Sequence, residues 1–177
     1  MLVSQPRLGA VSFLGTHSNK IDAKGRVQMP AGFRRALEGD QFQGFFCYPN
    51  LDAKRLDCGG SDFVEGLKAS IAMLDPYDPD LEALEIAVLG EIQTIPTDQD
   101  GRFIMPKTLR EYLDAESHVR FIGCGDTFQI WSDEGGRMAK EDHAERAKSA
   151  LRRLRNPGSD QPPPNPPITL RPRSPLT

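Results

Sequence analysis

The chain is poor in cysteine, and the cysteines it has share no pattern. Only Cys47, Cys58 and Cys124 occur among 177 residues. Their number is odd and no two stand in C-x-x-C spacing. That argues against a disulfide framework or a zinc site, and for a reducing, cytoplasmic setting. Long apolar runs are also missing. Nothing approaches the roughly 20 consecutive apolar residues of a membrane helix, and no basic stretch leads into an apolar one at the N-terminus, so neither membrane nor secretory leader is expected. Positive charge is not in excess. A net charge of −3 excludes a broadly basic coat for nucleic acid. It leaves room for a local basic patch, because phosphate binding depends on where the charge sits. The three histidines, His17, His118 and His143, form no local nucleophile–base signature with the cysteines. No catalytic residue, cofactor or small-molecule ligand is therefore expected.

What is present is a repeat. Ile21-Asp22-Ala23-Lys24-Gly25-Arg26-Val27-Gln28-Met29-Pro30 returns as Thr97-Asp98-Gln99-Asp100-Gly101-Arg102-Phe103-Ile104-Met105-Pro106, with Asp, Gly, Arg, Met and Pro in the same register. The offset is 98 − 22 = 76 residues. It extends to Phe33, Ala36 and Leu37, matched by Leu109, Tyr112 and Leu113. One small folding unit in tandem is the economical reading.

Each copy predicts a strand, a tight turn, a second strand and a short helix. The carboxylates of Asp22 and Asp98 can bond backbone N–H groups two residues on, and Gly25 and Gly101 supply positive φ, so these four residues are structural turn-formers. The alternation Arg26-Val27-Gln28-Met29 predicts a half-buried strand, with Val27 and Met29 inward and Arg26 and Gln28 outward. Pro30 ends that strand and suits the first helical position. From spacing alone Arg26 fits two tasks: pairing with Asp22 to hold the hairpin, or contacting DNA.

Around these copies the chain divides as follows. Residues 1–11 are an N-terminal extension without pattern, and 12–54 hold the first unit, which ends in an aromatic strand from Phe42 to Tyr48. Asp52 to Ser61, with two adjacent glycines, reads as a loop. Residues 55–89 form a helical connector: Phe63, Leu67, Ile71 and Leu74 recur at helical spacing, Asp75-Pro76 breaks the helix, and Asp78 caps a second one with Pro79 at its first position. Residues 90–135 hold the second unit. Trp131 takes the part of Tyr48, at a separation of 131 − 48 = 83, so the second copy is expected to carry seven extra residues. Residues 136–155 form a C-terminal helix. Residues 156–177 form a disordered Pro-rich tail that cannot bury a core.

With Phe13-Leu14-Gly15-Thr16, both D-x-x-G-R motifs and Gly123-Cys124-Gly125-Asp126 before Gln129-Ile130-Trp131, the sequence resembles the MraZ family of bacterial transcriptional regulators over roughly Ser12 to Ala150. The resemblance implies an α+β fold of two tandem AbrB-like (SpoVT-AbrB) swapped-hairpin units, forming a pseudo-symmetric β-barrel core with surrounding helices. It implies a ring-shaped homo-oligomer, located in the cytoplasm on the nucleoid. It further implies a repressor that binds promoter direct repeats in double-stranded DNA ahead of the division and cell-wall gene cluster. Family DNA binding depends on the Arg of the first motif, here Arg26, beside Lys24. The chemistry agrees: a β-ribbon can enter the major groove, where Arg bonds guanine O6 and N7. Lys20 and Lys24 suit phosphate contacts. Arg102 is the second copy's equivalent, although Asp100 stands where the first copy has Lys24.

Other readings are weighed beside this one. Asp98-Gln99-Asp100-Gly101 resembles the start of a calcium loop, but its fifth position is Arg102 and its glycine comes too early, so no metal is expected. Arg34 and Arg35 fit a solvated helix face, and Arg152, Arg153 and Arg155 complement a helix C-terminus. The functional alternatives are an AbrB-like antitoxin and an oligomeric scaffold that does not bind DNA.

Overall fold

The computed structural model describes residues 12–155. The extension expected over 1–11 and the tail expected over 156–177 lie outside them. One compact unit ends at Ala139 and a second begins at Lys140.

The first unit is built from two rounds of the same order. Round one is β1 (Thr16–Lys20), β2 (Arg26–Gln28), α1 (Ala31–Leu37), β3 (Gly44–Pro49), β4 (Arg55–Gly59) and α2 (Ser61–Ile71). After α3 (Pro79–Ala87) and a single 3-10 turn, Leu89–Glu91, round two follows. It comprises β5 (Gln93–Pro96), β6 (Arg102–Ile104), α4 (Lys107–Leu113), β7 (His118–Gly123), β8 (Phe128–Ser132) and α5 (Asp133–Arg155), which continues into the second unit. Asp78 caps α3 as expected, its carboxylate accepting from the Asp80 N–H at 2.9 Å.

Six strands form one antiparallel sheet in the order β1-β7-β8-β4-β3-β5, and β2 pairs with β6 in a separate two-stranded ribbon. The sheet order is a palindrome of the two rounds, so a pseudo-twofold axis passes between β4 and β8. Each round's first strand completes the other round: β1 pairs with β7, and β5 with β3.

Three expectations are corrected here. The strands either side of the Asp22 turn do not form a hairpin ladder; a single bridge, Ile21 to Val27, joins them. The second arm swings away to pair across the pseudo-axis. The core is likewise not a closed barrel among the described residues. β1 and β5 stay at opposite edges of the sheet, and β2 and β6 stop after three residues because Pro30 and Pro106 cannot donate to a ladder. Finally, Arg55–Gly59 is a central strand, where a loop was expected. Leu56 and Cys58 are fully buried on one face, so the alternation outweighs the glycines. Gly59 is there for packing: a Cβ on it would lie 2.4 Å from the Phe63 Cβ.

The third correction overturns the Tyr48–Trp131 equivalence. Tyr48 lies on β3 and Trp131 on β8, whose counterpart is β4. The offset is 76 at β2/β6, 118 − 44 = 74 at β3/β7, and 133 − 61 = 72 at α2/α5. Round two is thus shorter by 76 − 72 = 4 residues, not longer by seven.

The core lies between the sheet, the ribbon and the two short helices. Val27, Met29, Phe103 and Met105 enter it from the ribbon side, and Phe33 and Leu109 from α1 and α4. Phe33 is completely buried, and its ring meets those of Phe13, Phe121 and Phe128 at centroid separations of 5.4, 6.0 and 5.2 Å. Burying an aromatic of this size stabilises the fold by roughly 2–3 kcal/mol through area alone, with edge-to-face contacts adding to it. In the second unit the exposed Leu151 and Leu154 sit among basic side chains. Among the described residues no helix is long and apolar enough to cross a membrane.

Candidate nucleic-acid interface

The β2–β6 ribbon has an inner and an outer face. Val27 and Phe103 point into the core, and Arg26, Gln28, Arg102 and Ile104 are exposed on the other side. Across the ladder Arg26 stands opposite Ile104, and Gln28 opposite Arg102. This is the alternation expected from Arg26-Val27-Gln28-Met29.

Each ribbon strand leaves a turn held by an aspartate. Asp22 Oδ1 accepts from the N–H groups of Lys24 and Arg26 at 2.9 and 2.8 Å, and the Gly25 N–H bonds the Asp22 carbonyl. Asp98 does the same for Asp100 and Arg102, both at 2.9 Å, and the Gly101 N–H bonds the Asp98 carbonyl. Gly25 and Gly101 both have φ of +78°, which a side chain disfavours. The turns are also fastened across the pseudo-axis. The Gly25 carbonyl accepts from Met105 N–H at 2.8 Å, and the Gly101 carbonyl from Met29 N–H at 2.9 Å. Asp22, Gly25, Asp98 and Gly101 thus all lie within these two turns.

The arginines differ. Arg26 reaches its aspartate through Nε alone, 2.6 Å from Asp22 Oδ2. Arg102 donates from Nε to Asp98 at 2.9 Å and from Nη2 to Asp100 at 2.6 Å. Asp100 thereby occupies a donor edge that Arg26 keeps exposed. Two further bonds brace the second turn: Gln28 Nε2 donates to the Asp100 carbonyl at 2.8 Å, and Arg34 Nη2 to the Gln99 carbonyl.

The titration behaviour follows from these contacts. The Arg26 backbone N–H and then its guanidinium hold the Asp22 carboxyl below its ordinary value of 3.8. The Arg102 N–H and guanidinium do the same for Asp98. The hydrogen bond to Asp98, aided by the charges of Asp98 and Asp100, raises Arg102. Both ion pairs are solvent-exposed, so they orient side chains more than they stabilise the fold.

Lys20 ends β1 just ahead of the first turn, and Lys24 lies at its tip. Both are exposed, and neither ammonium pairs with a carboxylate among the described residues. Lys20, Lys24 and Arg26 thus fall in or beside the first turn, whereas Arg102 sits on the neighbouring strand, paired with Asp98 and Asp100. The sequence reading did not single out Ile104. The alternation Arg102-Phe103-Ile104-Met105 carries its outward position in plain form.

Cys47 and Cys58 face each other across β3 and β4, both fully buried, and burial pushes the Cys58 thiol well up. Among the described residues no cluster of His, Cys, Asp or Glu could hold a metal ion.

Comparison with known proteins points the same way. Residues 88–152 match the family described as "MraZ protein, putative antitoxin-like". The Transcriptional regulator MraZ of Beijerinckia indica is 35% identical over 150 residues, covering 85% of this chain and 89% of that protein. Its namesake in Methylocella silvestris is 36% identical over 143 residues, covering 81% and 85%. Another, from Pelagibacter ubique, is 35% identical over 119 residues, covering 67% and 77%. Identity at this level over most of both chains leaves one assignment: the chain belongs to the MraZ family of transcriptional regulators.

Proposed function

We propose that the protein is a sequence-specific DNA-binding repressor, built from two AbrB-like swapped-hairpin units. The observation that carries this is the outer face of the β2–β6 ribbon, where Arg26 is oriented by Asp22 through Nε and keeps its outer nitrogens exposed. A two-stranded ribbon fits the major groove, and an arginine so presented can bond guanine O6 and N7. Lys20 and Lys24 contact phosphates and set the register. Arg102, held by Asp98 and Asp100, is an accessory contact. The protein has no enzymatic step, acts on the nucleoid in the cytoplasm, and assembles as a ring-shaped homo-oligomer. The ring engages promoter direct repeats of the division and cell-wall gene cluster, so that one modest contact is repeated and gains avidity.

The test is a binding titration against the DNA upstream of the protein's own gene, at several salt concentrations, with wild type and Arg26→Ala in parallel. The expected result is sequence-preferring binding that weakens steeply with salt, and a folded Arg26→Ala variant that loses the preference, its affinity for the specific duplex falling about ten- to a hundred-fold. Equal affinity for random duplex would leave an oligomeric scaffold. A small basic protein that co-purifies would favour the antitoxin reading, which the family description supports.

A further inference from the structure

We infer that Ile104 is a second reader on the ribbon: its side chain takes the 5-methyl group of a thymine next to the guanine contacted by Arg26. This rests on the DNA-reading role proposed above. Ile104 is 64% exposed and stands directly opposite Arg26 in the antiparallel ladder. Side chains so paired lie about 5 Å apart at Cβ and share a face. Bases in one strand follow at about 3.4 Å, so paired side chains reach neighbouring steps.

The surroundings give Ile104 no other task. Its neighbours on that face are Arg26, Arg102 and Gln28, all polar, and the hydrophobic core lies on the far side, behind Val27 and Phe103. An isolated exposed apolar residue on a surface needs no explanation. This one occupies a quarter of a four-residue face that is otherwise polar. Thymine is the base that presents an apolar group in the major groove, and aliphatic side chains recognise it by contact.

The pseudo-twofold sharpens the assignment. The mate of Ile104 is Gln28, opposite Arg102. Gln28 is bonded to the Asp100 carbonyl and Arg102 to Asp98 and Asp100. That half of the face has donors already engaged within the protein. The half formed by Arg26 and Ile104 presents a donor edge and an apolar surface side by side, which suits a guanine–thymine step.

The experiment uses the full chain and duplexes that the wild-type protein enriches from a randomised library. Each thymine in an enriched duplex is replaced singly by deoxyuridine, which removes only the methyl group. Wild type should lose about three- to five-fold in affinity at one thymine, next to the guanine whose identity matters to wild type but not to Arg26→Ala. Ile104→Ala should bind the thymine and deoxyuridine duplexes alike, and Ile104→Val should keep most of the discrimination. Native mass and circular dichroism should match wild type for both variants. Deoxyuridine effects that are absent, or that persist in Ile104→Ala, would overturn the inference while leaving Arg26 as the reader. A changed native mass in Ile104→Ala would assign the side chain to a subunit contact and overturn it as well. Failure to enrich any sequence would remove the DNA reading itself.

Discussion

The two turns share a backbone and differ in what they offer to solvent. In both, an aspartate takes two N–H groups and one guanidinium, and a glycine at φ +78° closes the loop. In the first, position 24 is lysine, and Arg26 is held at one nitrogen. In the second, position 100 is aspartate, and Arg102 is held at two. One exchange of charge at a turn tip separates an arginine with one acid partner from an arginine with two. Duplicated scaffolds diverge first where side chains face water, since changes there leave the packed core intact.

That comparison can be broken most forcefully from the inside. Phe33→Ala should cost about 3–5 kcal/mol, because Phe33 lies in the core that both turns rest on. Urea unfolding should show one transition moved to lower denaturant, with the turns failing together. A smaller effect, confined to binding, separates the arginines. Arg26→Ala should reduce specific affinity by about ten- to a hundred-fold, the range of one bidentate base contact. Arg102→Ala should change it a few-fold at most, as read by fluorescence anisotropy on the same duplex. Asp100→Lys would sharpen the contrast by making the second turn resemble the first. Affinity for DNA of any sequence should rise, and the salt dependence should steepen by about one unit of log–log slope per added phosphate contact. The smallest effect is expected from acid. The folded-state values of Asp22 and Asp98 lie below 3.8, so what these carboxylates add to stability is present above that pH and fades as pH falls through the folded values. Carbon-13 chemical shifts of the two carboxyls should titrate below the ordinary aspartate range in the folded protein.

Local chemistry made part of this structure legible in advance. The Asp-x-x-Gly turns, the inward Val27, the helix after Pro30 and the Asp78 cap each follow from forces acting within a few residues. Partner choice does not. Nothing near Thr16–Lys20 says that its ladder lies on His118–Gly123 rather than across its own turn, because that pairing is decided by how the two rounds bury a shared core. Arg55–Gly59 was masked for a different reason: its glycines and charges read as a loop, although Leu56 and Cys58 alternate inward. Missing that strand forced Trp131 onto Tyr48 and produced the wrong repeat length. On the candidate site, the outward placement of Arg26 was legible. The contrast with Arg102 needed the Asp100 contact, and Ile104 needed the register that sets it opposite Arg26.

The exchange of edge strands has a consequence for synthesis. Among the described strands β1 is the first to emerge from the ribosome, yet Thr16 pairs with Ile122, and the two are 122 − 16 = 106 residues apart. Throughout translation of the intervening chain, β1 lacks the ladder partner it has in the fold. A nascent chain stopped before His118 has no native ladder for it, and two such chains side by side hold open edges of matching kind. Protection of β1 therefore waits until β7 has been made.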